Sequence, residues 1–345
     1  MPYVRLGKSG LKVSKIILGC MSYGSTTWQE WALGEEEGIK HIKLAYDLGI
    51  NAFDTADFYS NGLPEIVLGK AIKQHNLPRD EIVVMTKTYF PFNRDPNCPA
   101  VVGQSPEKLD SMRYTNQYGL SRKHIFEAIK HSLERLQLDY VDIYQCHRFD
   151  ANTPVEETMQ ALHDVVKAGY ARYIGMSSCY AWQFHKMQNY ARARGLTEFV
   201  SMQDYHCATY REEEREMIPL CEDLGVGVIP WSPLARGFLT RPVTEQTTRG
   251  GTDFGKYAVG DHEKWPFMKT INERVVAIAK ERNVSMAQVA LAWSCSKPFV
   301  SAPIVGTTSV EKLHDLVAGV HLKLTTEEIK SIDDPYEPRP IVGHM

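Results

Sequence analysis

The feature that most constrains this chain is an eightfold alternation of short apolar runs and helical patterns. The runs are KIILG (15–19), INAFDTA (50–56), IVVMTK (82–87), YVDIYQC (140–146), ARYIGMS (171–177), FVSMQ (199–203), VGVIPWS (226–232) and APIVG (302–306). Between them, apolar residues recur at helical spacing over 35–49, 64–75, 121–136, 154–168, 180–194, 211–224, 270–282 and 285–296, and patterns at 309–318 and 325–332 close the chain. Runs that are apolar throughout and separated by helices predict buried parallel strands. Eight such units in 345 residues favour a closed α/β architecture, the (β/α)8 TIM barrel, over an open sheet. No G-x-G-x-x-G follows any run, which weighs against a Rossmann domain. The reading is therefore a single barrel domain over 1–345. A polar N-terminal β-hairpin (YVRLGKSGLKV, turning at Gly7 and Gly10) precedes it, long βα loops fall at about 88–120 and 233–269, and a tail runs over 334–345.

Composition narrows the function classes. Apolar residues at 43% and charged residues at 23% suit a soluble enzyme with a large core, and a net charge of -3 leaves no basic face for nucleic acid. The seven cysteines (20, 98, 146, 179, 207, 221 and 295) include no C-x-x-C pair and read as reduced thiols of a cytoplasmic protein. MPYVRLGKSG lacks the apolar core of a signal peptide, and no run approaches the roughly 18 residues of a membrane span. The expected partner is a small molecule, with no nucleic acid and no membrane, and a monomer is the default.

In such a barrel the active site lies at the C-terminal ends of the strands. The second run delivers Asp54 there, with Tyr59 just beyond; the third delivers Lys87 and the fourth His147. The fifth delivers Ser177 and Ser178, the sixth Gln203, the seventh Trp231 and Ser232. A tyrosine alone titrates near pH 10 and is a poor acid–base group. A lysine ammonium beside it favours the phenolate, and an aspartate keeps that lysine charged and placed. A neutral histidine can hold a carbonyl oxygen. Singly, each residue is as well explained by solvation or packing. Together they form a device for protonating an oxygen that has just received a hydride, and it requires no metal.

With those residues placed, the chain resembles the aldo-keto reductases, in particular the fungal group of aryl-alcohol and versiconal hemiacetal acetate reductase-like proteins. The resemblance runs from LGKSGLKVSKIILGCMSYG through FDTADFYSNG, VVMTK, VDIYQCHRFD, YIGMSS, YREEEREM and IPWSPLARGFLTRP to PIVGTTSVEKL. It implies carbonyl reduction with Tyr59 as general acid, Lys87 lowering its pKa, Asp54 supporting Lys87 and His147 orienting the carbonyl. It also implies a nicotinamide dinucleotide lying across the barrel mouth, NADPH rather than NADH. No side chain donates hydride, so a carrier is needed in any case.

The residues agree with such a carrier. Trp231 offers a flat face to a nicotinamide ring, and Ser177 and Gln203 can meet its carboxamide. Ser232, Pro233, Leu234, Arg236 and Gly237 follow the seventh strand, and Gly306, Thr307, Thr308, Ser309 and Lys312 follow the eighth, where barrels commonly bind phosphate. Asp315 completes this cofactor set. Taken alone, GTTSVEK reads as an ordinary helix start, with Thr308 or Ser309 as the cap; the resemblance implies that the segment does both jobs. Against the family pattern, Ser178 replaces an asparagine, Thr308 a basic residue that grips the 2′-phosphate, and Leu316 an asparagine; Lys312 is the candidate to supply the missing charge. His206–Cys207 also replaces a Tyr–Asn pair.

For the substrate pocket the sequence offers Met21, Tyr23, Trp28, Phe58, Tyr89 and Phe90, with the two long loops. One by one, each suits loop packing; together they fit an aromatic or medium-chain aldehyde, or an activated ketone. Two other readings compete. A cofactor-binding regulatory barrel with little turnover, like the potassium-channel β-subunits, is disfavoured by the intact Asp54–Tyr59–Lys87–His147 set. A hydrolase or isomerase would need an H-x-H pair or clustered carboxylates at the strand ends, and neither is legible.

Overall fold

The computed structural model describes residues 1–93, 95–96, 98–245, 247–253, 259 and 261–344. Its strands are β1 (Tyr3–Arg5), β2 (Lys12–Ser14), β3 (Ile17–Gly19), β4 (Ala52–Asp54), β5 (Val83–Thr88), β6 (Val141–Cys146), β7 (Ala171–Ser177), β8 (Phe199–Gln203), β9 (Gly227–Val228) and β10 (Ile304–Val305). β3 to β10 form an eight-stranded parallel sheet in the order β10-β3-β4-β5-β6-β7-β8-β9. The last edge closes where Ser301 N–H donates to Val228 O at 2.9 Å and Ile304 N–H donates to Pro230 O at 2.9 Å. The (β/α)8 barrel expected from the alternation is therefore present.

The seventh and eighth strands are shorter than their apolar runs. Pro230 and Pro303 lie beside them, and a proline has no N–H to give a ladder. The long loops are also less bare than expected. Pro106–Ser111 forms a short helix, whose cap Ser105 accepts from Lys108 N–H at 3.3 Å. In the other loop the helix Pro266–Arg282 begins four residues before its periodicity suggested, with Pro266 in its first turn. The pattern at 211–224 divides into a 3-10 turn, Glu212–Glu214, and the helix Met217–Leu224.

Strand period sorts the interior into layers. Ala52, Val83, Met85 and Ile143 fill the lower barrel with Ile17 and Ile229. The predicted hairpin, β1 paired antiparallel with β2, plugs the floor by adding fully buried Leu6 and Val13 to that cluster. Two residues further along the strands the chemistry changes: Met85 gives way to Lys87 and Ile143 to Gln145, and these two stand in register. Gly175, opposite Gln145, has no side chain for a reason: a Cβ there would lie 2.5 Å from Ser201 Oγ and 3.0 Å from Gln145 Cγ.

The tail does not hang free. Tyr336 hydroxyl donates to Glu212 Oε1 at 2.6 Å, and Arg339 N–H to the same oxygen at 2.9 Å. The buried Arg339 guanidinium donates to Thr209 O at 3.2 Å and Val259 O at 2.7 Å. Val342 N–H then donates to the Tyr210 hydroxyl at 2.9 Å, bringing the chain end to the mouth. All seven cysteines are unpaired thiols. Among the described residues, no helix is long and apolar enough to cross a membrane.

Candidate active site

A cavity of about 1170 Å³ opens at the C-terminal ends of the strands. Its floor is the upper polar layer. Lys87 Nζ donates to Asp54 Oδ2 at 2.5 Å, to Thr55 O at 2.8 Å and to the Tyr59 hydroxyl at 3.3 Å. The other Asp54 oxygen accepts from Gln145 Nε2 at 2.9 Å and Gln203 Nε2 at 3.0 Å. Asp54 is thus held on both oxygens, a rigid anchor for a lysine with no exposed surface.

The loop after β4 places Tyr59 by continuing alongside β5. Thr55 N–H donates to Met85 O at 2.9 Å and Asp57 N–H to Lys87 O at 3.1 Å. The chain then turns sharply through Tyr59–Gly62, with Ser60 (φ 38°) and Asn61 (φ 54°) in the left-handed region. Asn61 holds this turn, accepting from Asn93 N–H at 3.0 Å and donating to Cys98 O at 2.7 Å. The spacing from Asp54 to Tyr59 reflects this path.

His147 follows β6, its N–H donating to Thr88 O at 2.9 Å. Its ring is boxed by Phe58, Tyr59 and Phe90 at centroid distances of 5.2, 5.6 and 5.1 Å. Burial, then the charges of Lys87 and Arg148, push its pKa well below the ordinary value, so the imidazole is neutral. Tyr59 differs from the simple expectation. Burial raises its pKa, and although Lys87 pulls it down, Asp54 opposes that pull and the net direction is upward. Tyr59 therefore carries its proton. Burial works against the charge of Lys87, but Asp54 and then Tyr59 hold its pKa above the ordinary value.

Of the expected pocket residues, Met21, Phe58 and Phe90 line the cavity. Trp28 and Tyr89 stand behind them: Trp28 packs 6.1 Å from Phe58, and Tyr89 lies edge-on to Phe90 at 5.1 Å. Tyr23 belongs elsewhere. It is fully buried in the main core, 5.9 Å from His41 of the helix Glu35–Asp47. Sequence reasoning missed Trp31, Val102 and Arg148 on the wall. Arg148 was legible as the neighbour of His147; Trp31 and Trp28 are indistinguishable by spacing. Gln145 was also missed, although its parity with His147 points it inward.

Most of the expected cofactor residues also line the cavity: Ser177, Gln203, Trp231, Ser232, Pro233, Leu234, Arg236, Gly237, Gly306, Thr307, Thr308, Lys312 and Asp315. Trp231 stacks on Tyr205 at 4.4 Å and 15°, and Tyr205 on Tyr210 at 4.6 Å and 16°, which fixes the indole plane. Its Nε1–H donates to Ser178 Oγ at 3.1 Å, so Ser178 supports the indole instead of facing the cavity. Ser309 is the cap of the helix Val310–Gly319, accepting from Lys312 N–H at 3.3 Å, and Thr308 is left to face the cavity. Arg236 is forked onto Asp253 at 2.8 and 2.6 Å. Asp315 accepts from Ser285 Oγ at 2.5 Å and Gln288 Nε2 at 2.7 Å. Arg241 adds a further cation, unforeseen, on the same wall.

The sequence as a whole also has counterparts among known proteins. Residues 15–337 match the model of the Aldo/keto reductase family. The chain is 49% identical over 342 residues to a versiconal hemiacetal acetate reductase of Aspergillus parasiticus, covering 99% of this chain and 98% of that one. It is 48% identical over 351 residues to a protein of Schizosaccharomyces pombe named as an aryl-alcohol dehydrogenase, with 99% and 98% covered. It is 45% identical over 354 residues to an aldo-keto reductase of Fusarium vanettenii, with 99% and 93% covered. With the barrel fold in place and the match running over nearly its whole length, the chain belongs to the aldo/keto reductase family of oxidoreductases.

Proposed function

We propose that this protein reduces an aromatic or medium-chain aldehyde, or an activated ketone, to the alcohol with NADPH, and that Tyr59 is the general acid. The observation that carries the reading is the contact of Lys87 with both Asp54 and Tyr59 inside a closed polar layer. A reduced nicotinamide supplies the hydride when bound. Trp231, with one face already stacked, is the platform for its ring, and the Gln203 amide, whose nitrogen is taken by Asp54 and Gln145, keeps its oxygen for a carboxamide N–H. Lys312, at the start of the helix Val310–Gly319 and with no ion-pair partner among the described residues, is the cation for the 2′-phosphate.

The chain's own part is protonic. Neutral His147 donates a hydrogen bond to the substrate carbonyl, and the Tyr59 hydroxyl faces the same oxygen. As negative charge grows there, Tyr59 gives up its proton, and Lys87 stabilises the phenolate left behind. Phe58, Phe90 and Trp31 keep water from the reacting carbon. Seven unpaired thiols fit a cytosolic setting, and one barrel holds every residue the reaction uses, as a monomer requires. The test is loss of reduced-nicotinamide absorbance with 4-nitrobenzaldehyde, for the native protein and Tyr59→Phe. Cofactor binding without turnover over several carbonyls would favour the regulatory-barrel reading instead.

A further inference from the structure

We propose that Asp204, Glu213 and His344 bind one divalent transition-metal cation, which clips the C-terminal tail onto the barrel mouth. Asp204 directly follows β8, Glu213 lies in the turn Glu212–Glu214, and His344 is the penultimate residue. One ligand atom from each lies within 4.8 Å of the others, and His344 Nε2 is 3.2 Å from Glu213 Oε1. The sequence shows no such cluster at a strand end because eight residues separate the carboxylates and the histidine is far along the chain.

Proximity alone would not make this a site. The second observation is Asp204 itself. It is 2% exposed, and neither carboxylate oxygen has a hydrogen-bond partner. Ser178 N–H faces it but donates to Gln203 O at 3.3 Å. A buried carboxylate without a partner is costly, and proteins pair such groups or coordinate metals with them. Arg148 acts on Asp204 by its charge, but Asp204 also faces a second carboxylate, Glu213. His344 is already aimed: its ring lies edge-on to Tyr180 at 4.8 Å, and its Nδ1 is unpartnered. Glu213 is steadied by the Tyr210 hydroxyl at 3.2 Å.

Two carboxylates and an imidazole suit Zn²⁺, Co²⁺ or Mn²⁺ better than Mg²⁺ or Ca²⁺, which take oxygen alone. Bonds of about 2.0–2.2 Å need these atoms to draw together by roughly an ångström, leaving a position for water. The consequence reaches the cofactor cleft. Gly343 (φ 91°) passes so close to Trp231 that a Cβ would lie 3.5 Å from the indole. Fixing His344 fixes this contact. The binding proposal is independent of the reductase reading.

The test is a Co²⁺ titration of the chelator-treated full chain, read by calorimetry and by visible absorption. The expected result is one ion per chain with ligand-field bands and no thiolate charge-transfer band. Affinity falls at least tenfold in His344→Ala and in Asp204→Asn, and Co²⁺ slows trimming of the native tail by a serine carboxypeptidase at least tenfold. No binding, equal binding in the variants, a thiolate band or unslowed trimming would each overturn the proposal. Should Asp204→Asn fail to fold, His344→Ala, at the chain end, decides.

Discussion

Lys87 and Asp54 form an ion pair sealed inside the barrel: Nζ and Oδ2 are 2.5 Å apart, and the lysine side chain has no exposed surface. Such a pair is costly to break on one side, because the remaining charge is stranded in low dielectric. Lys87→Met is therefore expected to lose about 3–5 kcal/mol of stability as well as activity. Adding Asp54→Asn removes the stranded charge, so the double variant regains much of the stability and none of the activity. Chemical denaturation beside turnover assays would check this; a double variant as unstable as the single one refutes the electrostatic account.

Tyr59→Phe keeps the ring and its packing on Phe58, 5.0 Å away, and removes only the hydroxyl. Turnover is expected to fall by about 10²–10⁴, the usual worth of a general acid. NADPH affinity, read by fluorescence quenching, should stay within a factor of about three, about 0.7 kcal/mol. A variant that retains half its turnover would remove Tyr59 from the mechanism.

Asp57 sits fully buried in the loop between these residues, and burial, then the charge of Glu65, raises its pKa to about 8. Unfolded, its carboxyl titrates near 3.8. Between these values the native state holds a proton that the unfolded chain has lost, so stability falls as pH rises from about 4 to 8. Asp57→Asn removes that slope. The melting temperature of the variant relative to native should climb by several degrees between pH 5 and pH 8.5, an effect on the order of 4 kcal/mol. A pH-independent difference rules out Asp57 as its source.

Lys312→Met tests the cofactor preference. If its charge meets the 2′-phosphate, KM for NADPH rises about tenfold, or about 1.4 kcal/mol, while KM for NADH is nearly unchanged. Equal effects on both would move the phosphate contact to Arg241 or Arg236, which share the wall.

The parts of the site that read directly from the sequence are those fixed by strand period. Asp54, Lys87 and His147 end apolar runs, and a residue at such an end faces the mouth once the barrel closes. Period does not reach into the loops. Tyr23 and Met21 are two residues apart in the segment after β3, yet Met21 lines the cavity and Tyr23 is packed into the core against His41. Both are large side chains that a core or a cavity wall accepts, and only their tertiary neighbours separate them. Local partners matter in the same way: the Ser178 hydroxyl accepts from the Trp231 indole, and the Ser309 hydroxyl accepts from Lys312 N–H as the helix cap that the sequence also allowed.

The sequence by itself determined the eight-unit barrel, because alternating apolar runs and helices have one economical way to bury both faces of every strand. It also determined which residue types meet at the mouth. The tertiary structure alone decided how they are tuned. Gln145 and Gln203, from two other strands, lock Asp54, and burial outweighs Lys87 in setting the Tyr59 proton. The tail brings His344 to Asp204 and Glu213. Those effects depend on groups far apart in the chain and on the water excluded between them, and neither quantity is written in local pattern.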